Sequence, residues 1–266
     1  MKTYTETLDP STCTGQQRQT LIEEMYRVQA TVFRGVSRDE FVQYVIDSSA
    51  QQSWIQLFRN SAGELVGYLA VHRFDIEDEG ELCSVFRSEA GMLREYRGRT
   101  NVGMYLGRII LGHLLRRPLR KTYFLGCLIH PSSYHGMVRY ASEIWPHPSQ
   151  DMPQHIERLM SRLGEQFGLQ EVDADYPLVR QVGWITQDSQ AERLSWAQSD
   201  KPAVSFFLQQ NPGYGRGHGL LTLIPQSLRL LMSSCFRAFV GRLKRDARRA
   251  LRPVRESLQS PVGRSN

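Results

Sequence analysis

Arg94-Glu95-Tyr96-Arg97-Gly98-Arg99-Thr100-Asn101-Val102-Gly103 is the stretch on which the folding of this chain turns. Before it, Leu82 to Leu93 reads as a strand; after it, Leu106, Ile109, Ile110 and Leu114 recur at the spacing of one helix face. A strand that enters a helix through an Arg/Gly turn leaves free backbone N–H groups at the helix start, and such groups attract anions. Arg116, Arg117 and Pro118 end this helix with cations and a breaker. Lys121 to Ile129 then has the short apolar pattern of a buried central strand, and a helix from about Ser133 to Ile144 stops before Pro146. P-loop and dinucleotide folds also join strand to helix in this way. Here, however, no Gly-Lys-Ser/Thr follows the turn and no Gly-x-Gly-x-x-Gly precedes the helix.

Working outward, Leu21, Met25, Val28 and Val32 give residues 16 to 33 the pattern of an amphipathic helix ending near Gly35. Ser37 and Glu40 have capping-box spacing ahead of a stripe of Phe41, Val42, Val45 and Ile46. Ser53 to Phe58 and Glu64 to Phe74 read as a hairpin turned by Asn60-Ser61-Ala62-Gly63, and Asp75 to Glu81 as an acidic loop. Downstream, residues 151 to 167 read as a helix with Ile156, Leu159, Met160 and Leu163 inward. Leu178 to Thr186 and Leu220 to Ile224 read as strands. The polar, aromatic segment between them has no decisive pattern.

A chain of 266 residues with 41% hydrophobic content can bury a sizeable core. Cys13, Cys83, Cys127 and Cys235 lie far apart without metal-pair spacing, so neither a zinc site nor a disulfide framework is expected. The first residues lack the apolar core of a signal peptide, and no apolar run is long enough to span a bilayer. The expectation is a cytoplasmic protein. Net charge is +6, yet from Arg229 to Asn266 ten basic residues face two acidic ones, so the rest of the chain carries −2. The basicity belongs to the tail and says nothing about the core site.

The second half of the decisive region, Ile129-His130-Pro131-Ser132-Ser133-Tyr134-His135-Gly136-Met137-Val138-Arg139-Tyr140, sharpens the picture. Taken with Tyr96-Arg97-Gly98-Arg99, the chain resembles the GCN5-related N-acetyltransferase (GNAT) superfamily. Its usual turn runs Tyr-Arg-Gly-Arg-Gly-x-Gly, and its later helix carries Asn, a small residue three on and Tyr four beyond, matched by Ser133, Gly136 and Tyr140. The resemblance covers about Gln16 to Ile144 in element order, with residues 178 to 224 as the source of the last two strands. It implies a mixed α/β (α+β) fold, a central sheet flanked by helices, over residues 1–227 with an insertion at about 146–215. It further implies an acyl-CoA-dependent N-acyltransferase that moves an acyl group, acetyl or another, to an amine by direct attack on the thioester. Arg97 to Gly103, comprising Arg97, Gly98, Arg99, Thr100, Asn101, Val102 and Gly103, would form the pyrophosphate cradle with Arg94 and Ser133 beside it. Met92 and Leu93 would line the pantetheine arm, and Tyr140 would protonate the departing thiolate. The acceptor would enter beside 75–81 and 211–219. Thr100 stands where the family has its second Gly, and Gly103 lies one place later than the third.

Read residue by residue, Glu89 on the strand is a candidate general base for the acceptor amine, or simply an exposed strand carboxylate. Arg94, Arg97 and Arg99 also fit a solvated loop, and Tyr140 an amphipathic residue with its ring in the core. His130 and His135 lack zinc-pair spacing and suit capping or surface roles; no metal is expected. In 228–266, Leu228, Met232, Cys235, Phe236, Phe239, Val240, Leu243 and Ala247 alternate with Arg and Lys as in an interfacial amphipathic helix. An anionic membrane surface touched through 228–255 is one expected partner, at the inner membrane face. A helix packed on the protein's own sheet is the alternative for its first half. Aromatic residues are absent beyond Leu243, which argues against base stacking on nucleic acid. Rival functions are a CoA-binding scaffold docked by the tail and a nucleic-acid-binding protein acting through it.

Overall fold

The computed structural model describes residues 3–98, 102–234, 236, 237 and 241. Arg99, Thr100 and Asn101 of the expected cradle, Cys235 and nearly all of the basic tail lie outside the described residues. The elements run β1 (Tyr4–Leu8), α1 (Gly15–Val32), β2 (Phe33–Arg34), α2 (Arg38–Phe41), β3 (Gln52–Arg59), β4 (Leu65–Asp78), β5 (Glu81–Met92) and α3 (Val102–Arg116). They continue with β6 (Thr122–Leu128), α4 (Pro131–Tyr140), α5 (Gln154–Gln166), β7 (Val179–Gln181), β8 (Ile185–Thr186), α6 (Gln190–Ala197), α7 (Pro202–Gln210) and β9 (His218–Gln226). Seven strands form one mixed sheet in the order β1-β3-β4-β5-β6-β9-β7, and β2 pairs with β8 in a small second sheet. Only β5 and β6 are parallel.

Helices cover both faces, so the central strands read as continuous apolar runs: every residue of β4 from Leu65 to His72 is buried. On one face α1 and α2 place Ile22, Met25, Val28 and Phe41 against Ile55, Leu57 and Tyr68, while α5 lays Ile156, Met160 and Leu163 on Val85, Leu125 and Leu221. On the other, α3 sets Ile110 and Leu114 on Phe86 and Phe124, and α4 and α7 pack around Tyr134 and Phe207. The expected capping box closes in both directions: Ser37 N–H donates to Glu40 Oε2 at 2.8 Å and Glu40 N–H to Ser37 Oγ at 3.2 Å.

Four expectations change. The acidic stretch 75–81 is not a loop, because Glu79 (φ 52°) and Gly80 (φ 78°) form a two-residue turn that lets the β4–β5 ladder run to Asp78 and Glu81. Its charges are held by partners: Arg162 binds Asp78 at 2.6 Å and Glu79 at 3.1 Å, and Lys121 pairs with Glu81. Residues 178–186 split at Gly183 (φ 83°), β7 joining the main sheet and β8 crossing to β2. Helix α4 begins earlier, with Pro131 in its first turn, and ends at Tyr140 because Ala141 is extended. The patternless segment holds α6, α7 and a short turn at Tyr214–Arg216.

Of the tail, residues 228–234 are helical and turn back on the domain. Leu228 and Leu231 join the cluster under α3, Ser142 Oγ donates to Leu230 O at 3.2 Å, and Met232 and Phe236 stay exposed. Among the described residues no helix is long and apolar enough to cross a membrane.

Candidate active site

The parallel ladder between β5 and β6 is three pairs long: Ser84 with Thr122, Val85 with Tyr123 and Phe86 with Phe124. Beyond it β5 follows β4 up to Met92, whereas β6 follows β9 to Leu128, and the two strands part. The ladder fixes which backbone groups face the gap. Leu93 N–H donates to Val66 O at 2.9 Å and Ser84 N–H to Lys121 O at 2.8 Å. By antiparallel alternation, the main-chain groups of Ser88, Ala90 and Met92 therefore point away from β4 toward the side that β6 has left. Met92 O accepts from Arg97 Nε at 3.2 Å. A gap edged by strand groups that pair with no other strand among the described residues suits an extended, amide-bearing ligand.

The gap opens at the turn before α3. There Tyr96 is buried under α3, while Gly98 takes φ 73° with nothing within 4 Å of the place a Cβ would occupy. Val102 and Gly103 start α3, and the position of a Cβ on Gly103 is equally open. Leu93 touches the clusters on both faces of the sheet. On the α1 side a cleft of about 370 Å³ is lined by Arg27, Thr31, Leu65, Leu93, Arg94 and Arg97. Arg94 pairs with Glu192 on α6, so two of the turn's arginines are engaged within the protein.

Glu89 stands three residues past Phe86 on the α1 face, its side chain 21% exposed and Oε2 3.2 Å from Nε2 of the buried His72. Next to them Tyr68 O–H donates to Gln29 Oε1 at 2.5 Å; burial, with the Glu89 charge adding, pushes this phenol well above its ordinary range. Tyr140 closes α4, half-buried, its ring 5.4 Å from the Arg139 guanidinium. Tyr134 is the more buried phenol of this helix and donates to Pro146 O at 2.8 Å. Ser133 is exposed on the first turn of α4, its N–H bonded to His130 O at 3.1 Å.

His130 caps α4, as its sequence position suggested: Nδ1 accepts from Ser132 N–H at 3.2 Å. That leaves the ring proton on Nε2, which donates to Asp188 Oδ2 at 2.9 Å. Trp196 of α6 meets the imidazole edge-on at 5.5 Å and Tyr214 at 6.3 Å. Glu192 and Trp196 lie one turn apart on α6 and touch Arg94, just past β5, and His130, just past β6. Helix α6 thus bridges both banks of the gap. The turn at Tyr214 borders this end, whereas the 79–80 turn lies at the far end of β5, roughly 35 Å away along the strand. His72, Tyr68, Gln29 and Asp188 were not singled out from sequence. The available signal was a histidine set in an apolar strand run, Val66 to Phe74.

A mixed sheet flanked by helices, whose middle parallel pair separates before the turn that leads into α3, agrees with the expected fold class. The fold is GNAT-like. No family model matches the chain, and no curated protein matches it. Among solved structures it is similar to a probable N-acyltransferase from Enterococcus faecalis, with 12% identity and a TM-score of 0.36 over 53% of this chain and 32% of that one. The chain therefore spans about a third of that protein's length. It is similar also to Arabidopsis thaliana NAA60, solved in complex with acetyl-CoA, at 14% identity and a TM-score of 0.36 over 54% of this chain and 89% of that one. A GCN5-related N-acetyltransferase from Kribbella flavida shows 10% identity and a TM-score of 0.34 over 84% and 98%. Likeness at this level adds nothing to the separated strands themselves.

Proposed function

We propose that this GNAT-like domain is an acyl-CoA-dependent N-acyltransferase. The observation that carries this reading is the separation of β5 from β6 past Phe86 and Phe124, which leaves the main-chain groups of Ser88, Ala90 and Met92 facing a gap that opens at the Arg/Gly turn. In this reading Ser88 and Ala90 pair with the amides of a pantetheine arm. Arg97 to Gly103 and the start of α3 hold its diphosphate, with Arg94 exchanging Glu192 for phosphate and Ser133 and Leu93 beside the arm. The donor is acetyl-CoA or another acyl-CoA, the acceptor an amine. Glu89 takes the proton that the amine loses on attack, and Tyr140 donates one to the departing thiolate. Residues 1–227 form the transferase unit; the start of 228–266 packs on it through Leu228 and Leu231, and the basic remainder meets an anionic membrane surface within 228–255, which places a cytoplasmic protein at the inner membrane face.

Titration calorimetry with CoA and acetyl-CoA, followed by thiol release over a panel of spermidine, lysine, tryptamine and a free-N-terminal peptide, tests this reading. Binding with thiol release is the expected result. Binding without release over the panel points to a scaffold, and the absence of binding removes the transferase altogether.

A further inference from the structure

Three polar side chains stand in a row across β3, β4 and β5 on the sheet face shared with α1. Ser53 and His72 oppose each other in the β3–β4 register, with Oγ and Nδ1 2.8 Å apart. His72 Nε2 lies 3.2 Å from Glu89 Oε2, one residue pair along the next ladder, where Ala70 opposes Glu89 and His72 sits two places on. His72 is 1% exposed, and its Nε2 and Glu89 Oε2 approach to 3.2 Å without hydrogen-bond alignment, each buried and with no other hydrogen-bond partner among the described residues. A buried imidazole facing a carboxylate keeps its proton on Nε2, so Nδ1 accepts from the Ser53 hydroxyl. Cys127 of β6 lies within reach of the Glu89 and Arg87 charges. Arg87, opposite His72 on β5, lies over the Phe167 ring at 4.8 Å, Arg73 of β4 is 3.5 Å from Asp75, and Tyr68 is bound to Gln29 of α1. Glu89 alone of this row belongs to the part of β5 that has left β6.

We propose that His72, oriented by Ser53, is the positioning residue that aims Glu89 as general base. The proposal rests on the acyltransferase reading and adds to it a relay that runs from a part-buried hydroxyl through a buried imidazole to a carboxylate at the gap. The neutral amine attacks the thioester carbonyl, the N–C bond forms, and Glu89 takes the proton from nitrogen. The C–S bond then breaks, with Tyr140 supplying a proton to sulfur. His72 Nε2 stands against Oε2, which leaves Oε1 for the amine.

The test uses the full chain with acetyl-CoA and the panel amine that releases most thiol, comparing wild type with His72→Leu, His72→Gln, Ser53→Ala and Glu89→Gln. His72→Leu is expected to lower kcat about tenfold or more, with acetyl-CoA affinity unchanged. His72→Gln, whose amide N–H replaces Nε2–H, restores most of the rate, and Ser53→Ala gives an intermediate loss. Independently of turnover, the His72 ring signals in NMR shift between wild type and Glu89→Gln. A failure of His72→Gln to rescue, or unchanged ring signals in Glu89→Gln, overturns the relay while acetyl-CoA binding stands. Loss of binding in wild type instead removes the underlying reading and the relay with it.

Discussion

Phe86 and Phe124 are the last residues that β5 and β6 hold in register, and both side chains lie in the cluster beneath α3. Each strand leaves the other because its opposite neighbour is the stronger partner: β4 keeps β5 paired to Met92, and β9 keeps β6 paired to Leu128. The gap thus follows from the pairing of the sheet. Ala90→Pro tests it. Proline removes an N–H that faces the gap and leaves the β4 ladder intact. Acetyl-CoA affinity by calorimetry is expected to fall about tenfold, one hydrogen bond's worth, with a small change in Tm. Equal affinity means that no ligand pairs with this edge.

Tyr140 ends a helix whose other phenol, Tyr134, is fully buried and bonded to Pro146 O. In the proposed reaction the proton for the leaving thiolate is assigned to Tyr140. Tyr140→Phe is expected to lower kcat about a hundredfold without weakening acetyl-CoA binding, and Tyr134→Phe to act on stability instead. Single-turnover thiol release separates the two effects.

His113 is 5% exposed, packed edge-on against Phe86 at 5.2 Å. Burial first, then the Arg73 charge, lowers its pKa from 6.5 to about 4. The folded state binds this proton less readily than the unfolded chain. Its contribution is complete above pH 6.5 and is lost as pH falls from 6.5 toward 4. Between pH 7.5 and 5.0 this one group costs about 2 kcal/mol. Urea unfolding of wild type and His113→Leu at both values checks it: the variant's stability should fall less with acid by about that amount.

The sequence was most legible where one periodicity acts alone. Leu21, Met25, Val28 and Val32 on α1 and Ile156, Leu159, Met160 and Leu163 on α5 are buried as their spacing predicts. Acidic composition misled at Asp75 to Glu81, since two left-handed residues at 79 and 80 turn the chain at once and arginines from distant elements hold the carboxylates. Strand β1 went unread because its first four residues are exposed, and an edge strand without a buried face shows no apolar alternation. The site was legible as two motifs, which place the turn and α4. Its polar partners were not, because His72 meets Glu89 across strands and Asp188 meets His130 across 58 residues. No local period encodes such a pairing.

Asp188 and His130 form an enclosed hydrogen-bonded pair at the mouth of the gap, with side chains 4% and 10% exposed. Asp188 comes from the segment between β8 and α6 and His130 from the end of β6, so this one contact ties the segment that bridges the gap to the sheet. Asp188→Ala leaves the Nε2–H buried without an acceptor, a loss of about 1–3 kcal/mol. Asp188→Asn keeps an amide oxygen at the same place and should cost less than half as much. Urea titration of both variants, with unchanged m, reads the difference. Equal costs for the two would mean that the carboxylate acts through its charge, and a negligible cost for Asp188→Ala that water replaces it. Because α6 also carries Glu192, the partner of Arg94, loosening this tie is further expected to speed acetyl-CoA release in stopped flow while Glu89 and Tyr140 stay in place.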